Sequence, residues 1–529
     1  MKILIITGQL ATPLIHKNLE HYTEHEIYIK TLPIKIASFI TPKMITYYLK
    51  EKNMITNIKD TKTIPLDQID IIITPGLMQQ DAQLITQSLN IPAYKGPTNA
   101  ADLIHTLNIV NKITLSTTKP ANILIRDEQY KEALEIIHNS NKINEKTQSL
   151  LKKESNFQIK NIPLGLDFPM RVLGEIANAV ELTDDQLLKK AQYYIESGAD
   201  MIDIGMHAGE NNPDKAYHMI KLIKDNFSIP VSIDTLNPHE IKKALTAECD
   251  LVLSVDHGNY EDVKKDIKDH NIPAVILPTN YKHNKIPTTP DDKIKQLNKL
   301  DKLCSDITTI ADPLLDPINS PSITESIITC YKYREINPLK PLFFGVGNVT
   351  ELLDTDSNGA NAVLSGIAME LGVCILFTPE ASLKCKGSIK ELKTASNMMY
   401  ITKLHNSIPK DLGIDLINYK DHYKKEDIDI NTNNIPEIEA VADGKFIPDT
   451  KGSFKIILKN KKINAILYQQ NTKKAVITST SARAIYEEIL RRNLISRMEH
   501  AAYLGMELEK AEIALKLDKQ YIQDFPIFK

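Results

Sequence analysis

The chain has 529 residues, 42% apolar and 25% charged, enough for about three to four domains with cores of their own and too apolar for bulk disorder. Its 64 Lys and Arg against 67 Asp and Glu give a net charge of -3, which excludes the broad basic field of a dedicated nucleic-acid binder. Five isolated cysteines (Cys249, Cys304, Cys330, Cys374, Cys385) with no CxxC pair point to neither a disulfide framework nor a thiolate zinc site. The start, Met1 to Gly8, is too short for a secretion signal, and the most apolar later stretch, Ala362 to Phe377, is interrupted by Ser365, Gly366 and Glu370. A cytoplasmic chain with no membrane span is therefore expected.

The first 150 residues alternate strand-like and helix-like stretches at the spacing of a Rossmann-like α/β domain. Strands are expected at Lys2–Thr7, around Ile27–Leu32, at Ile69–Thr74 and at Asn122–Arg126. Gly8 and Gly76 form neither a GxGxxG nor a P-loop, so no nucleotide site follows. The charged, Asn- and Lys-rich stretch from Asn139 to Asn156 reads as a linker.

From Met170 a strand followed by a helix recurs eight times. The strands are Arg171–Gly174, Met201–Gly205, Val231–Asp234, Leu251–Val255, Ala274–Leu277, Thr308–Ala311, Leu342–Gly345 and Val373–Phe377. Thr183 and Gln186 stand in capping-box spacing before a helix at Asp184–Ser197; helices follow at Asp214–Asn226 and from Pro238. Eight βα units between residues 160 and 407 have the size and order of a (β/α)8 TIM barrel.

After residue 408 the pattern changes to an α+β domain that runs to 529. Tyr419–Asp429 is charged and Asn431–Pro436 turn-rich. Lys455–Leu458 and Asn464–Tyr468 read as a hairpin across Asn460-Lys461-Lys462, and Ala482–Arg492 and Ser496–Leu517 as helices.

A barrel of this kind carries its site at the C-terminal ends of its strands. Polar residues stand at most of those ends: Glu175 and Asn178, Asp203 with His207, Asp234, Asp256 with His257 and Asn259, Thr279-Asn280, Asp312 and Asn348. Converging acceptors suit a ligand rich in N–H donors, since each buried donor needs a partner. A pterin is such a ligand, and its 2-amino-4-oxo edge could pair with Asp312 or Asp234. His207 and His257 could serve acid/base or metal roles, but their spacing is no zinc motif.

Glu196-Ser197-Gly198-Ala199-Asp200-Met201-Ile202-Asp203-Ile204-Gly205, together with Pro230-Val231-Ser232-Ile233-Asp234-Thr235, resembles the pterin-binding barrel shared by dihydropteroate synthases and methyltetrahydrofolate-dependent methyltransferases. The whole chain is similar to archaeal dihydropteroate synthase-related proteins, which add flanking domains to that barrel; Ala502 to Glu512 looks like their C-terminal domain. The resemblance implies a reduced pterin as substrate or cofactor, held by Glu175, Asn178, Asp203, Asp234, Asp312 and Asn348. Asp234, Asn348 and Asp256 are the catalytic candidates it implies, with no resident metal-ligand set.

The two chemistries of the superfamily make different demands. A synthase joins a dihydropterin diphosphate to an aryl amine and needs cations, usually with magnesium, for the leaving diphosphate. Its strand-seven lysine falls here on Gly347-Asn348-Val349, and its strand-eight Arg-x-His falls near Phe377-Thr378-Pro379-Glu380. Lys384 or Lys386 would have to supply the charge from loops. A methyltransferase instead assists protonation of the pterin through hydrogen bonds and hands the methyl group to a corrinoid protein. Gly174-Glu175 with Asn178, and Gly345 to Thr350, are similar to its motifs, although no Asp-x-His-x-x-Gly corrinoid loop occurs in this chain. The expectation is a pterin-binding enzyme of archaeal folate or methanopterin metabolism, with methyltransferase and non-catalytic pterin-binding readings as alternatives. A homodimer is compatible with either, and no nucleic-acid or membrane partner is implied.

Overall fold

The computed structural model describes residues 1–528 except 52–53, 59–61, 112, 411, 421–435, 437 and 442–446. The chain divides into two compact units, Met1–Tyr423 and Lys424–Lys529. The charged and turn-rich features expected over 419–436 fall mostly outside the described residues.

The first unit begins with a six-stranded sheet. Lys2–Thr7, Glu26–Thr31, Ile71–Thr74 and Ala93–Lys95 run parallel, and the short strands Met54–Asn57 and Thr63–Pro65 add an antiparallel edge. Its Ile-rich strands are buried on both faces, with Leu4, Ile6 and Ile72 on one side and Ile3, Ile5 and Ile73 on the other. The stretch Asn122–Arg126, expected as a strand, lies instead in a helix, Ala121–Asn141. Ala121, Ile125, Ala133 and Ile137 are its buried apolar residues, spaced four and eight apart, so the helical period decides against the local apolar run. The expected linker is ordered as well. Asn144 and Thr147 form a capping box that opens a short helix, Glu145–Leu150, and a hairpin of Asn156–Ile159 with Ile162–Gly165 follows.

The eight expected βα strands close into one parallel barrel: Arg171–Ile176, Met201–Gly205, Val231–Asp234, Leu251–Val255, Ala274–Ile276, Thr309–Ala311, Leu342–Gly345 and Val373–Pro379. Helices surround it, among them Asp184–Glu196, whose N-terminus carries the Thr183–Gln186 capping box. Strand alternation sorts the apolar side chains into two cores. Val172, Ile202, Ile204, Val231, Ile233, Val252 and Phe344 pack outward on the helices. Leu173, Met201, Leu253, Val275, Ile310, Phe343 and Ile375 fill the interior, where Ile159 and Leu164 of the hairpin join them. The hairpin therefore stoppers the N-terminal end of the barrel, and a ligand must enter from the other. Burial of each large inner side chain is worth roughly 1.5–3 kcal/mol.

The second unit is an antiparallel sheet of Ser453–Lys459, Lys462–Gln469 and Thr472–Ser479 with helices Ala482–Arg491 and Met498–Lys516. Asn460 and Lys461 both take positive φ, 54° and 55°, as a two-residue hairpin turn requires. Phe454, Ile456 and Leu467 pack on Ile485, Leu504 and Leu508. Among the described residues, no helix is long and apolar enough to cross a membrane.

Candidate functional site at the barrel mouth

The same alternation that buries Leu173, Met201 and Ile310 inside the barrel also aims Glu175, Asp203 and Asp312 inward, two residues further along their strands. Asp234 joins them, because Gly205 of strand two is its register partner and Asp203 pairs with Glu175 on strand one and Ser232 on strand three. One carboxylate oxygen each from Glu175, Asp203 and Asp234 lies within 4.8 Å of the others. Asp203 is fully buried; it accepts the Ser232 hydroxyl at Oδ1, while its Oδ2 has no hydrogen-bond partner among the described residues.

Three carboxyl groups this close and this dry resist ionisation. Burial, helped by Asp234 and Glu351, pushes the Glu175 carboxyl up to about 8. Burial pushes Asp234 up to about 7. Burial and then the neighbouring Asp234 and Glu175 hold Asp203 well above the usual carboxylate range, against the pull of the Ser232 hydroxyl. On strand six, burial lifts Asp312 to about 7; the Leu314 N–H and Lys293 pull the other way, and Asp234 and Asp316 add to the lift. Asp312 spends Oδ1 on the Leu314 N–H at 2.8 Å.

The remaining sequence candidates divide. Asn348, exposed, folds its amide back over strand seven, where a Cβ on Gly345 would come 2.9 Å from its Nδ2; that amide donates to Leu315 O at 3.1 Å, beside the Asp312 loop. Asn178 is exposed in a left-handed turn (φ 52°), and its side chain has no hydrogen bond among the described residues. Asp256 is fully buried with both oxygens engaged: Oδ1 accepts the Gly258 N–H at 2.6 Å, and Oδ2 accepts the Tyr281 N–H at 2.7 Å and the Thr279 hydroxyl at 2.9 Å. It joins the strand-four and strand-five loops and, unlike Asp203, has neither oxygen without a hydrogen-bond partner. His207 is bracketed by Glu181 and Glu210 at 3.1 and 3.2 Å, and His257 meets the Gln296 carbonyl at 3.0 Å. Neither histidine joins the carboxylate group.

One neighbour escaped sequence reasoning. Glu351, just past strand seven, acts on Glu175 while accepting the Ala381 and Ser382 N–H groups at 3.0 Å each. It sits in a loop, where no periodicity marks it; its position after a barrel strand was the available signal. Asn280, expected at the strand-five end, has a buried Oδ1 without a partner among the described residues. The cations near this end are engaged: Lys384 with Asp354 at 2.8 Å, Lys293 with Asp316, and Lys190 on the Glu380 carbonyl at 3.3 Å and over the Tyr194 ring. Glu380 itself is buried, accepting the Tyr193 hydroxyl and the Ile389 N–H. At the strand-eight end Glu380 is therefore set beside Lys190, on which Glu351 and Lys386 also act.

Residues 177–310 match the family described as pterin binding enzyme, and residues 448–524 match the PterinBD-DUF4346 family. Over its whole length the chain is 42% identical to an uncharacterized protein of Methanocaldococcus jannaschii, covering 99% of that protein. A dihydropteroate synthase of Clostridium beijerinckii is 28% identical over 103 residues, 18% of this chain and 38% of that enzyme. Among solved structures, a Yersinia pestis dihydropteroate synthase with a sulfonamide drug aligns over 47% of this chain and 99% of its own, at 16% identity and a TM-score of 0.39. One from Xanthomonas albilineans aligns over 46% and 95%, at 15% identity and 0.39.

Proposed function

Since this chain belongs to the dihydropteroate synthase-related family of pterin-binding proteins, we propose that its barrel mouth binds a reduced pterin and catalyses a proton-assisted transfer on it. The observation that carries this reading is the set of four inward carboxyl groups, Glu175, Asp203, Asp234 and Asp312, all held above the usual carboxylate range on four strands of one barrel end. A pterin offers N–H donors along one edge, and a buried carboxylate that accepts two of them forms a strong charge-assisted pair. Asp312, with Oδ1 fixed by Leu314, takes that edge, and Asn348 beside it contacts the ring. Glu175 and Asp234 then face the reacting part of the ligand, where a carboxyl group that titrates near 7 or 8 can give or take a proton at neutral pH.

Of the two chemistries, the methyl-transfer type fits the mouth better: it needs a proton donor near the pterin, which Glu175 supplies, and no diphosphate clamp. The acceptor would then be a corrinoid protein. The synthase type, joining a dihydropterin to an aryl amine, is favoured by one observation, the carboxylate cluster that could hold a magnesium ion in place of the missing lysine and arginine. We place either reaction in archaeal folate or methanopterin metabolism, in keeping with the full-length relative from Methanocaldococcus jannaschii.

Calorimetry with reduced pterins tests the shared premise: binding is expected, and Asp312→Ala should abolish it. Absence of binding by the native chain, or binding indifferent to that substitution, overturns the reading. Methyl-corrinoid formed from a methyl-pterin supports the first chemistry, and diphosphate released from a dihydropterin diphosphate with an aryl amine supports the second. Binding with neither product leaves a non-catalytic pterin-binding protein.

A further inference from the structure

We propose that Glu175, Asp203 and Asp234 form a binding site for a hard divalent cation, Mg2+ or Mn2+, at the barrel mouth. The three residues stand on adjacent strands in register, and one oxygen from each already lies within 4.8 Å of the others. Oxygen ligands of a single such cation sit roughly 3–5 Å apart, so small side-chain adjustments suffice. An all-carboxylate set selects this class of ion over softer metals.

The cluster is more than a group of acids. Asp203 is completely buried, and while Ser232 satisfies one of its oxygens, Oδ2 has no partner among the described residues. A buried carboxylate oxygen with nothing to meet it carries a large desolvation cost, which a cation removes. No salt bridge to any of the three is found among the described residues, and the charges acting on Glu175 and Asp203 are acidic: Asp234 and Glu351 on the first, Asp234 and Glu175 on the second. Strand two also leaves space for the group. At Gly205 the absent Cβ would lie 2.5 Å from Glu175 Oε1, so a glycine stands where the Glu175 carboxylate reaches over the strand. The competing way to relieve the repulsion is to share protons among the three, and the two differ in what the protein binds.

When bound, the ion would hold Glu175 and Asp234 ionised and supply positive charge to an anionic group of a substrate at a mouth whose seventh and eighth strand ends carry Asn348 and Glu380; proton donation by Glu175 then belongs to the metal-free cluster. The ligand set does not depend on a pterin being the substrate, so the test uses the metal alone.

The full-length chain, stripped with a chelator, is titrated with MnCl2 and free Mn2+ is followed by electron paramagnetic resonance; MgCl2 then competes. One Mn2+ per chain, displaced by Mg2+, is expected. Asp203→Asn and Glu175→Gln should each weaken it at least roughly tenfold, with circular dichroism confirming the fold, while Asp214→Asn, on an exposed helix start, should not. No binding at up to about 5 mM Mn2+, or binding that survives both substitutions, means a proton-filled cluster and overturns the site. Pterin calorimetry run in chelator is a separate readout: Mn2+ binding without pterin binding would sink the proposed function and leave the cation site standing, and the converse would do the opposite.

Discussion

Glu175 Oε1 occupies the space that a side chain on Gly205 would need: a Cβ there would lie 2.5 Å from that oxygen and 3.2 Å from the Ala177 Cα. The crowded atom belongs to the far end of a flexible side chain, so Gly205→Ala should displace the carboxylate at small cost to folding. We expect circular dichroism and the melting temperature to stay close to native, while affinity for a reduced pterin and for Mn2+ each fall at least about tenfold, roughly 1.4 kcal/mol. Unchanged ligand affinities in a folded Gly205→Ala protein would remove Glu175 from the site.

The near-neutral carboxyl groups make stability fall with rising pH. Glu175 and Asp234, lifted to about 8 and about 7 in the folded chain, stay protonated there at pH values where the unfolded chain has already released those protons. The stability they contribute is complete below about pH 4, the unfolded carboxylate range, and is lost as the pH climbs through 7 and 8. Metal-free protein should therefore melt at progressively lower temperature from about pH 5 to about pH 9. Asp203→Asn, which removes a buried charge, should flatten that decline and add about 1–3 kcal/mol at the alkaline end. Scanning fluorimetry across the range checks both; a melting temperature that rises toward alkaline pH would contradict the burial of these groups.

Asp312 and Asp234 were interchangeable partners for the pterin edge in the sequence, and the structure separates them. Asp312 stands alone on strand six with one oxygen fixed by Leu314, whereas Asp234 shares its space with two other carboxyl groups. Asp312→Asn keeps the shape but loses the charge and replaces one acceptor with a donor, which should cost about 1.5–3 kcal/mol of pterin affinity, roughly 10- to 150-fold. Asp234→Asn should spare affinity more and depress turnover. Calorimetry set beside single-turnover rates distinguishes the two, and equal affinity losses would return both residues to one role.

The barrel was legible because eight strands, most of them ending at a polar residue, repeat with helices between them, and those strand ends named the carboxylates that the structure turns inward. Less legible were features that depend on contact across the fold. Asp256 looked equivalent to Asp234 at a neighbouring strand end, yet its hydrogen bonds to Gly258, Thr279 and Tyr281 commit it to holding two loops, and nothing local in the sequence announces those partners. Asn122 to Arg126 offered a short apolar run whose helical period showed only over the longer span to Ile137. The hairpin at 156–165 was not expected, because its apolar residues, Ile159 and Leu164 with Phe157 and Ile162 beside them, are divided by a turn and are buried against a barrel interior that the local sequence does not announce. That three acids make one cluster, where the sequence offered separate pterin contacts and no metal ligands, required the register of three strands.

The closed end of the barrel depends on Arg171, a fully buried cation four residues below Glu175 on the same strand. Its Nε donates to Pro163 O of the hairpin at 2.9 Å, its Nη1 meets Asn141 at the end of the long helix, and Asp200 lies 3.7 Å away. Arg171→Ala should destabilise the chain by about 3–5 kcal/mol, because a cavity opens and Asp200 loses one of two cations. Lys393, 2.6 Å from Asp200, keeps that carboxylate paired, so Arg171→Met, which refills the volume, should recover at least about half of the loss. Equal losses in both variants would show that hydrogen bonds to the hairpin and helix, and not packing, set the cost. At roughly 3.3 Å per residue the mouth lies about 13 Å away, so pterin and Mn2+ affinities of the folded protein should remain native in both.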